Sequence, residues 1–462
     1  MFDCWSPRLP KDGATKSETP ASVDAMSLRS NGPRPETCYK RSMGRARVAR
    51  EAAREAIVGS LLALAVGCGA VSPRPNAATT LATPTAAGND GEVFSFPEAF
   101  ASPLRLHDVP DELAPFLSRC RLGDAALSRV AERFARRQSE GQAPLDVSEI
   151  SFALRAEGSP YVWPRAWTLE GGELTTVMAQ QRMHDWLDSW SDGGERRCGI
   201  ALVERSGRDV LAAVAVDALA DLDPLPVRVP SGSWVEVNAR VLVPTSEAKV
   251  IVLGPSGGPH GVPTTFDGRS ARARFRADRP GTFLVQLLAN VDGGPRPVLE
   301  ASVYADVRPP TTFFGDAAPG EANGVGHADL GDSLLAMVNA ARRTEHSPPL
   351  VRDRALDDVA QRHAEAMRKL KRIAHDAGDG LPPARVEAAG VDVLAFGENV
   401  AHALDLRRAH RALWASPSHR ENLLQARFDR VGIGIAVDPD GSLWVCEVFA
   451  DSPDAPAWAE PD

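Results

Sequence analysis

Positive charge is what this chain has little of. Its 462 residues carry 52 Lys and Arg against 61 Asp and Glu, a formal net charge of -9. No large basic face is available to offset phosphate repulsion, so nucleic acid is not expected as a partner. The short cluster RKLKR (368–372) reads as a solvated helix face. Cysteines are few, and none stand in C-x-x-C spacing, which argues against a structural zinc site or a redox motif of that type. Apolar runs are short as well: IVGSLLALAV (57–66) is too brief to span a bilayer. What remains, 43% hydrophobic and 24% charged residues, is an ordinary globular composition. The length calls for about two to four domains.

The run at 57–66 has the right size for the core of a signal peptide. The Arg-rich MGRARVAREAAREA (43–56) supplies the positive flank before it, and AVGCGA with Cys68 follows. That order resembles a bacterial lipoprotein signal, which implies that Cys68 receives lipid and becomes the mature N-terminus on a membrane. Residues 1–42 show no periodicity and precede a second plausible start, Met43. On this reading residues 1–67 are an upstream segment with signal peptide, and 68–92 a lipidated cysteine with a tether of small, polar and proline residues. Gly69 gives no acidic signal for inner-membrane retention, so the outer membrane or the periplasmic face is expected. Cys4 and Cys38 fall upstream of cleavage, leaving Cys120, Cys198 and Cys446 for an oxidising compartment. Cys446 lies in the apolar run LWVCEVF and reads as a buried strand residue, so the expected disulfide is Cys120 with Cys198.

The fold class expected is α+β. From 223 to 308 the pattern has period two between Gly and Pro turns, as in VRVPSGSWVEVNARVLVP, which predicts a β-sandwich of immunoglobulin-like type. A linker (309–330) leads to a C-terminal domain (331–451), and an acidic, Pro-containing tail (452–462) closes the chain. The segment before the sandwich, 93–222, repeats the C-terminal one. DAALSRVAERFA (124–135) lies on DRALDDVAQRHA (353–364), and RCGIALVERSGRDVLAAVAV (197–216) on RVGIGIAVDPDGSLWVCEVF (430–449). Gly199 and Gly432 fall at nearly the same remove from the two aspartates, so the matches keep register. Two copies of one fold are therefore expected, flanking the sandwich.

In the second copy Leu356, Val359, Ala360, His363 and Met367 recur at helical spacing, which puts His363 in an apolar stripe. The first copy has Phe134 in that slot, an argument for packing over chemistry. Beyond the helix come IAHDAGDG (373–380), FGENVA (396–401) and ALWASPSHRENLLQARFDRVGIGIAV (412–437). Gly397, Glu398 and Asn399, then Trp414, Ser416, Pro417, His419, Arg420 and Asn422, then Phe428, Val431, Gly432 and Gly434 resemble the CAP superfamily. That superfamily contains the cysteine-rich secretory, antigen 5 and plant pathogenesis-related proteins; the likeness is to the compact bacterial form, over about 331 to 450.

The resemblance implies an α-β-α sandwich with a surface cleft lined by His375, His419 and Glu398, with Asn399, Ser416, Arg420 and Asn422 as further cleft or ligand-binding residues. The family's second acid near the tryptophan of the third motif is missing beside Trp414; Glu421 is nearby in sequence only. Two imidazoles and a carboxylate suit zinc or another divalent metal, and they equally suit a hydrogen-bonded network without metal. Ser416 and Ser418 flank the proline before His419 outside any G-x-S-x-G frame, so Ser416-Pro417 is expected to cap a helix, and no catalytic residue is assigned. In the first copy the position of His419 falls on Trp186, no histidine replaces His375 and no GEN follows. That copy is expected to be degenerate, keeping the fold and losing the site.

The function expected is that of a lipid-anchored extracytoplasmic protein binding a small or lipidic ligand, or an envelope partner, through the His/Glu cleft. A metal-dependent hydrolase using the same cleft, and a structural or adhesive surface protein acting through the sandwich, are the alternatives.

Overall fold

A computed structural model describes residues 2–5, 93–103, 109–142, 145–205 and 208–452. Cys68, the tether and the acidic tail beyond Ser452 lie outside the described residues.

The first α+β domain begins with an N-cap. The Asp124 carboxylate accepts from the backbone N–H groups of Ala126 and Leu127, starting helix α1 (Ala125–Ser139). Its stripe of Leu127, Val130, Ala131 and Phe134 is buried against the sheet. Helix α2 (Val147–Ala156) opens with a capping box between Asp146 and Glu149. Helix α3 (Val177–Asp188) precedes the strand Glu195–Val203. The sheet runs Leu122–Gly123, Glu195–Val203, Val210–Ala218, Arg165–Glu170, with the first pair parallel. Cys120 and Cys198 are joined by a disulfide with Cα atoms 5.9 Å apart.

The C-terminal domain has the same strand order. Val351–Arg352 lies parallel to Arg430–Val437, followed by Leu443–Ala450 and Phe396–Ala403. Asp353 caps helix α5 (Arg354–Leu370) in the manner of Asp124. At Gly432 an added Cβ would strike the backbone of Leu356 and Asp357, and at Gly199 the backbone of Leu127 and Ser128, the corresponding residues of the first domain. Helix and sheet therefore approach to the same closeness at the same place in both. Helix α5 and α6 (Pro382–Ala388) cover one sheet face. Helices α4 (Leu330–Thr344), α7 (Leu406–Ala415) and α8 (Pro417–Leu424) cover the other, and every residue of Leu443–Ala450 is buried between them. This is the α-β-α sandwich. Phe2–Trp5 adds an antiparallel edge strand, Cys4 opposite Asn399; the sequence alone gave that segment no element.

Between the two lie two antiparallel-rich sheets face to face. One is ordered Thr264–Phe266, Ser270–Ala277, Ser233–Val241, Ala220–Leu222. The other is ordered His260–Val262, Ala248–Leu253, Gly281–Val291, Gly294–Ala305, Arg228–Val229. Strict alternation of buried and exposed residues along Ser270–Ala277 is the period two of the sequence. The sandwich starts at Ala220 rather than 223, because Ala220–Leu222 pairs with Ala239–Val241. Its core is continuous with that of the first domain: Val130 and Phe134 belong to the same cluster as Val250, Phe283 and Val303.

Candidate functional site

Glu398 sits on the strand Phe396–Ala403, fully buried. Because side chains alternate across a strand, Glu398 and Asn399 serve opposite faces of the sheet. Beneath Glu398, on the α5 and α6 side, a charged cluster is assembled. His375 Nδ1 lies 2.8 Å from Glu398 Oε1, and the Arg385 guanidinium donates to Glu398 Oε2. Arg385 also donates to the His375 carbonyl at 2.7 Å and to that of Gly380, pinning the 375–380 loop. His363 stands 3.8 Å from Glu398, its Nδ1 2.9 Å from Asp379 and its Nε2 2.9 Å from the Ala374 carbonyl oxygen. Cys446, a buried free thiol, points its sulfur at Glu398 Oε2 from 3.6 Å. Burial pushes the Glu398 carboxyl up, but Arg385, His363 and His375 outweigh it and hold the carboxyl well below the usual range. Burial, with Glu398 beside it, pushes the Cys446 thiol well up.

The opposite face holds a second, amide-rich cluster. Asn399 Nδ2 donates to the His419 carbonyl at 3.2 Å and to Glu447 Oε2 at 3.1 Å. Asn422 Nδ2 donates to Asn399 Oδ1 at 3.0 Å and to the Glu398 carbonyl at 3.2 Å, so α8 is fastened to the backbone of the GEN strand. The absence of a Cβ at Gly397 makes room for the Asn422 amide. Arg342 of α4 holds the far end of α8 by donating to the carbonyls of Leu423 and Phe428. Glu447 is fully buried; desolvation raises its carboxyl to about 7, only partly countered by Asn399, and its Oε1 has no hydrogen-bond partner among the described residues.

The candidate residues are thus divided. His375 and Glu398 are bonded in one cluster, whereas Asn399, Asn422 and the His419 backbone form the other. The expected surface cleft is closed: His375, Glu398, Asn399 and His419 are all 0% exposed. The sandwich contributes to this closure. Gly294 at its hairpin turn takes φ +116°, and a Cβ there would come 2.9 Å from the Cβ of His375. Arg420 does not reach into either cluster; it donates to the Trp414 carbonyl at 2.6 Å and lies over the Trp414 ring. Ser416 precedes α8, whose N1 is Pro417, but its hydroxyl makes no cap bond and instead lies 3.3 Å from Gln286 Nε2 of the sandwich. Gln286 Oε1 then accepts from the Ser418 N–H at 3.1 Å, taking the role expected of Ser416. Glu421 pairs with Lys249 of the sandwich at 3.8 Å.

Sequence reasoning missed Arg385, Asp379 and Glu447. Glu447 did leave a signal: a carboxylate inside the apolar run LWVCEVF is a buried charge awaiting a partner. Arg385 left none, since it reaches Glu398 through tertiary folding alone.

A metal does not fit this cluster. Glu398 is already engaged by a guanidinium and an imidazole, and Arg385 would stand beside any cation bound there. Among the described residues no three His, Cys, Asp or Glu side chains gather as a metal site requires. Nor, among them, is any helix long and apolar enough to cross a membrane.

Residues 335–448 match the model of the cysteine-rich secretory protein family, CAP; the C-terminal domain is a CAP domain. No curated protein matches the chain. Solved structures similar to it include an outer surface protein of Borrelia burgdorferi, 21% identical over 27% of this chain and 93% of that one, TM-score 0.25. An extracellular protein with an SCP domain from Bacillus anthracis is 15% identical over 51% and 86%, TM-score 0.24. A cysteine-rich secretory protein from Staphylococcus aureus is 12% identical over 56% and 84%, TM-score 0.24.

Proposed function

We propose that this is a lipid-anchored, extracytoplasmic bacterial protein whose CAP domain acts by binding a small or lipidic ligand or an envelope partner, not by hydrolysis. The observation that carries this reading is the engagement of both Glu398 oxygens. A general base must accept a proton from water or substrate, yet Oε1 faces His375, Oε2 faces Arg385, and the group is buried. The His375–Glu398–Arg385 cluster serves as an internal tie between the 375–380 loop, α6 and the sheet. The anchoring half of the reading rests on the 43–68 signal, and the Cys120–Cys198 disulfide agrees with an oxidising compartment.

Esterase and peptidase assays on the full chain with added zinc, beside Glu398→Gln, test the first half. The reading expects no turnover above buffer; turnover abolished by Glu398→Gln would establish the hydrolase. For the second half, Cys68→Ala is expected to move the protein from the membrane to the soluble fraction. Continued sedimentation with membranes would refute the lipid anchor.

A further inference from the structure

Apart from exposed Thr282, the outer face of the sandwich hairpin is covered or half-covered. Phe283, Val285 and Val303 fill the sandwich core, so Thr282, Leu284 and Gln286, paired with Tyr304, Ser302 and Glu300, face outward. On an ordinary sandwich such a row meets water. Here Gln286, Ser302 and Tyr304 are buried and Leu284 is half-buried. Helix α2 stands over them with Ser148, Ser151, Phe152 and Arg155, spaced i, i+3, i+4, i+7 and therefore on one face. The last turn of α7, with Ala412 and Ala415, and Phe313 and Phe314 of the linker complete the wall. These elements border a half-open pocket of about 470 Å³ at the junction of all three domains, within the size range of small-molecule sites.

The chemistry of the walls selects its occupant. Both lining arginines are paired, Arg155 to Glu300 at 2.7 Å and Arg411 to Glu321 at 2.7 Å, and Asp316 is solvent-exposed. The rest of the polar side holds the hydroxyls of Ser151, Ser302 and Ser416, His419, and the Gln286 amide, which is itself bonded to Glu300, Ser416 and the Ser418 N–H. The other side is aromatic, with Trp163, Phe152, Tyr304 and Phe313. An ionised ligand would be desolvated here against arginines already committed to Glu300 and Glu321, whereas flat rings with one polar edge would find both surfaces. We propose that this junction cavity is a binding site for a neutral aromatic amphiphile, held between the outward face of the sandwich hairpin, α2 and the end of α7. The inference is independent of the anchor and of the role of Glu398; of the residues expected in the cleft, Ser416 and His419 border this pocket.

Fluorescence titration of the full chain with N-phenyl-1-naphthylamine, a neutral two-part aromatic probe, tests it. Saturable enhancement at one site per chain is expected. Leu284→Trp and Ser151→Trp fill the cavity from floor and wall without touching a core residue, and each is expected to weaken binding roughly tenfold or more at unchanged melting temperature. Two fillers are used so that one that disturbs folding leaves the other to decide. The sulfonated relative of the same skeleton, 8-anilino-1-naphthalenesulfonate, is expected to bind at least roughly tenfold more weakly. No saturable binding by the wild type, or wild-type binding by both fillers, would overturn the site; equal affinity for the anion would overturn the assignment of a neutral ligand.

Discussion

Glu398 and Glu447 are both fully buried on neighbouring strands, and their surroundings push them in opposite directions. Glu398 is held ionised by Arg385, His363 and His375, so its contribution is present above the unfolded carboxylate value near 4.5 and is lost as the pH falls through its lower folded value. Removing it leaves the Arg385 guanidinium buried without its carboxylate, and Glu398→Ala is expected to cost about 3–5 kcal/mol in denaturant unfolding at neutral pH. Glu447 has the reverse sign. Between about 4.5 and about 7 the unfolded chain releases this proton while the folded chain keeps it, so stability falls as pH rises through that window. Glu447→Gln preserves an acceptor for Asn399 and abolishes the penalty. Its unfolding free energy is expected to exceed the wild type by up to about 3 kcal/mol at pH 8, with little difference at pH 4; equal gains at both pH values would show that ionisation is not the cause. The sequence names the residue types at these positions. It does not say that Glu398 and Asn399, adjacent in the chain, belong to separate clusters until the strand between α6 and α7 is known. Nor does it say that Arg385 closes one of them.

At the scale of elements, the repeat was readable because it is written in groups with a fixed local job. Asp124 and Asp353 cap helices, Leu127 and Leu356 begin the buried stripe, and Gly199 and Gly432 let the sheet approach the helix backbone. The last of these makes a sharp prediction: Gly432→Ala and Gly199→Ala each force α5 or α1 off the sheet. Each is expected to cost more than about 3 kcal/mol, or to prevent soluble expression. A shift in melting temperature no larger than that of an ordinary surface substitution would show that the helix yields more easily than the geometry indicates. Cys198→Ser opens a bridge between residues 78 apart and is expected to cost about 2–4 kcal/mol in unfolding experiments under non-reducing conditions. The first turn of α8 was less readable. Ser-Pro before a helix ordinarily reads as a cap, but at Ser416 a side chain from another domain, Gln286, supplies the acceptor and its amide N–H donates to the hydroxyl. A local rule was overridden by a tertiary contact that no short window contains.

The whole molecule explains why the cleft expected from family resemblance is shut. The sandwich lies on the CAP domain, with Gly294 and Gln286 of the hairpin against His375 and the start of α8, and Lys249 of the neighbouring strand beside Glu421. Period two made the sandwich legible; its docking face, made of Gly, Gln and Lys, has no pattern to find. The same contacts bring α2, the hairpin and α7 around a common cavity, so the interdomain arrangement closes one site and builds another. His375, Glu398 and Arg385 form a closed polar tie and not a metal centre. Calorimetric titration of the full chain with zinc, beside a His375→Ala/His419→Ala variant of verified fold, tests it most directly. No heat should distinguish the two proteins; site-dependent micromolar binding by the wild type, lost in the variant, would make the cluster a metal centre after all.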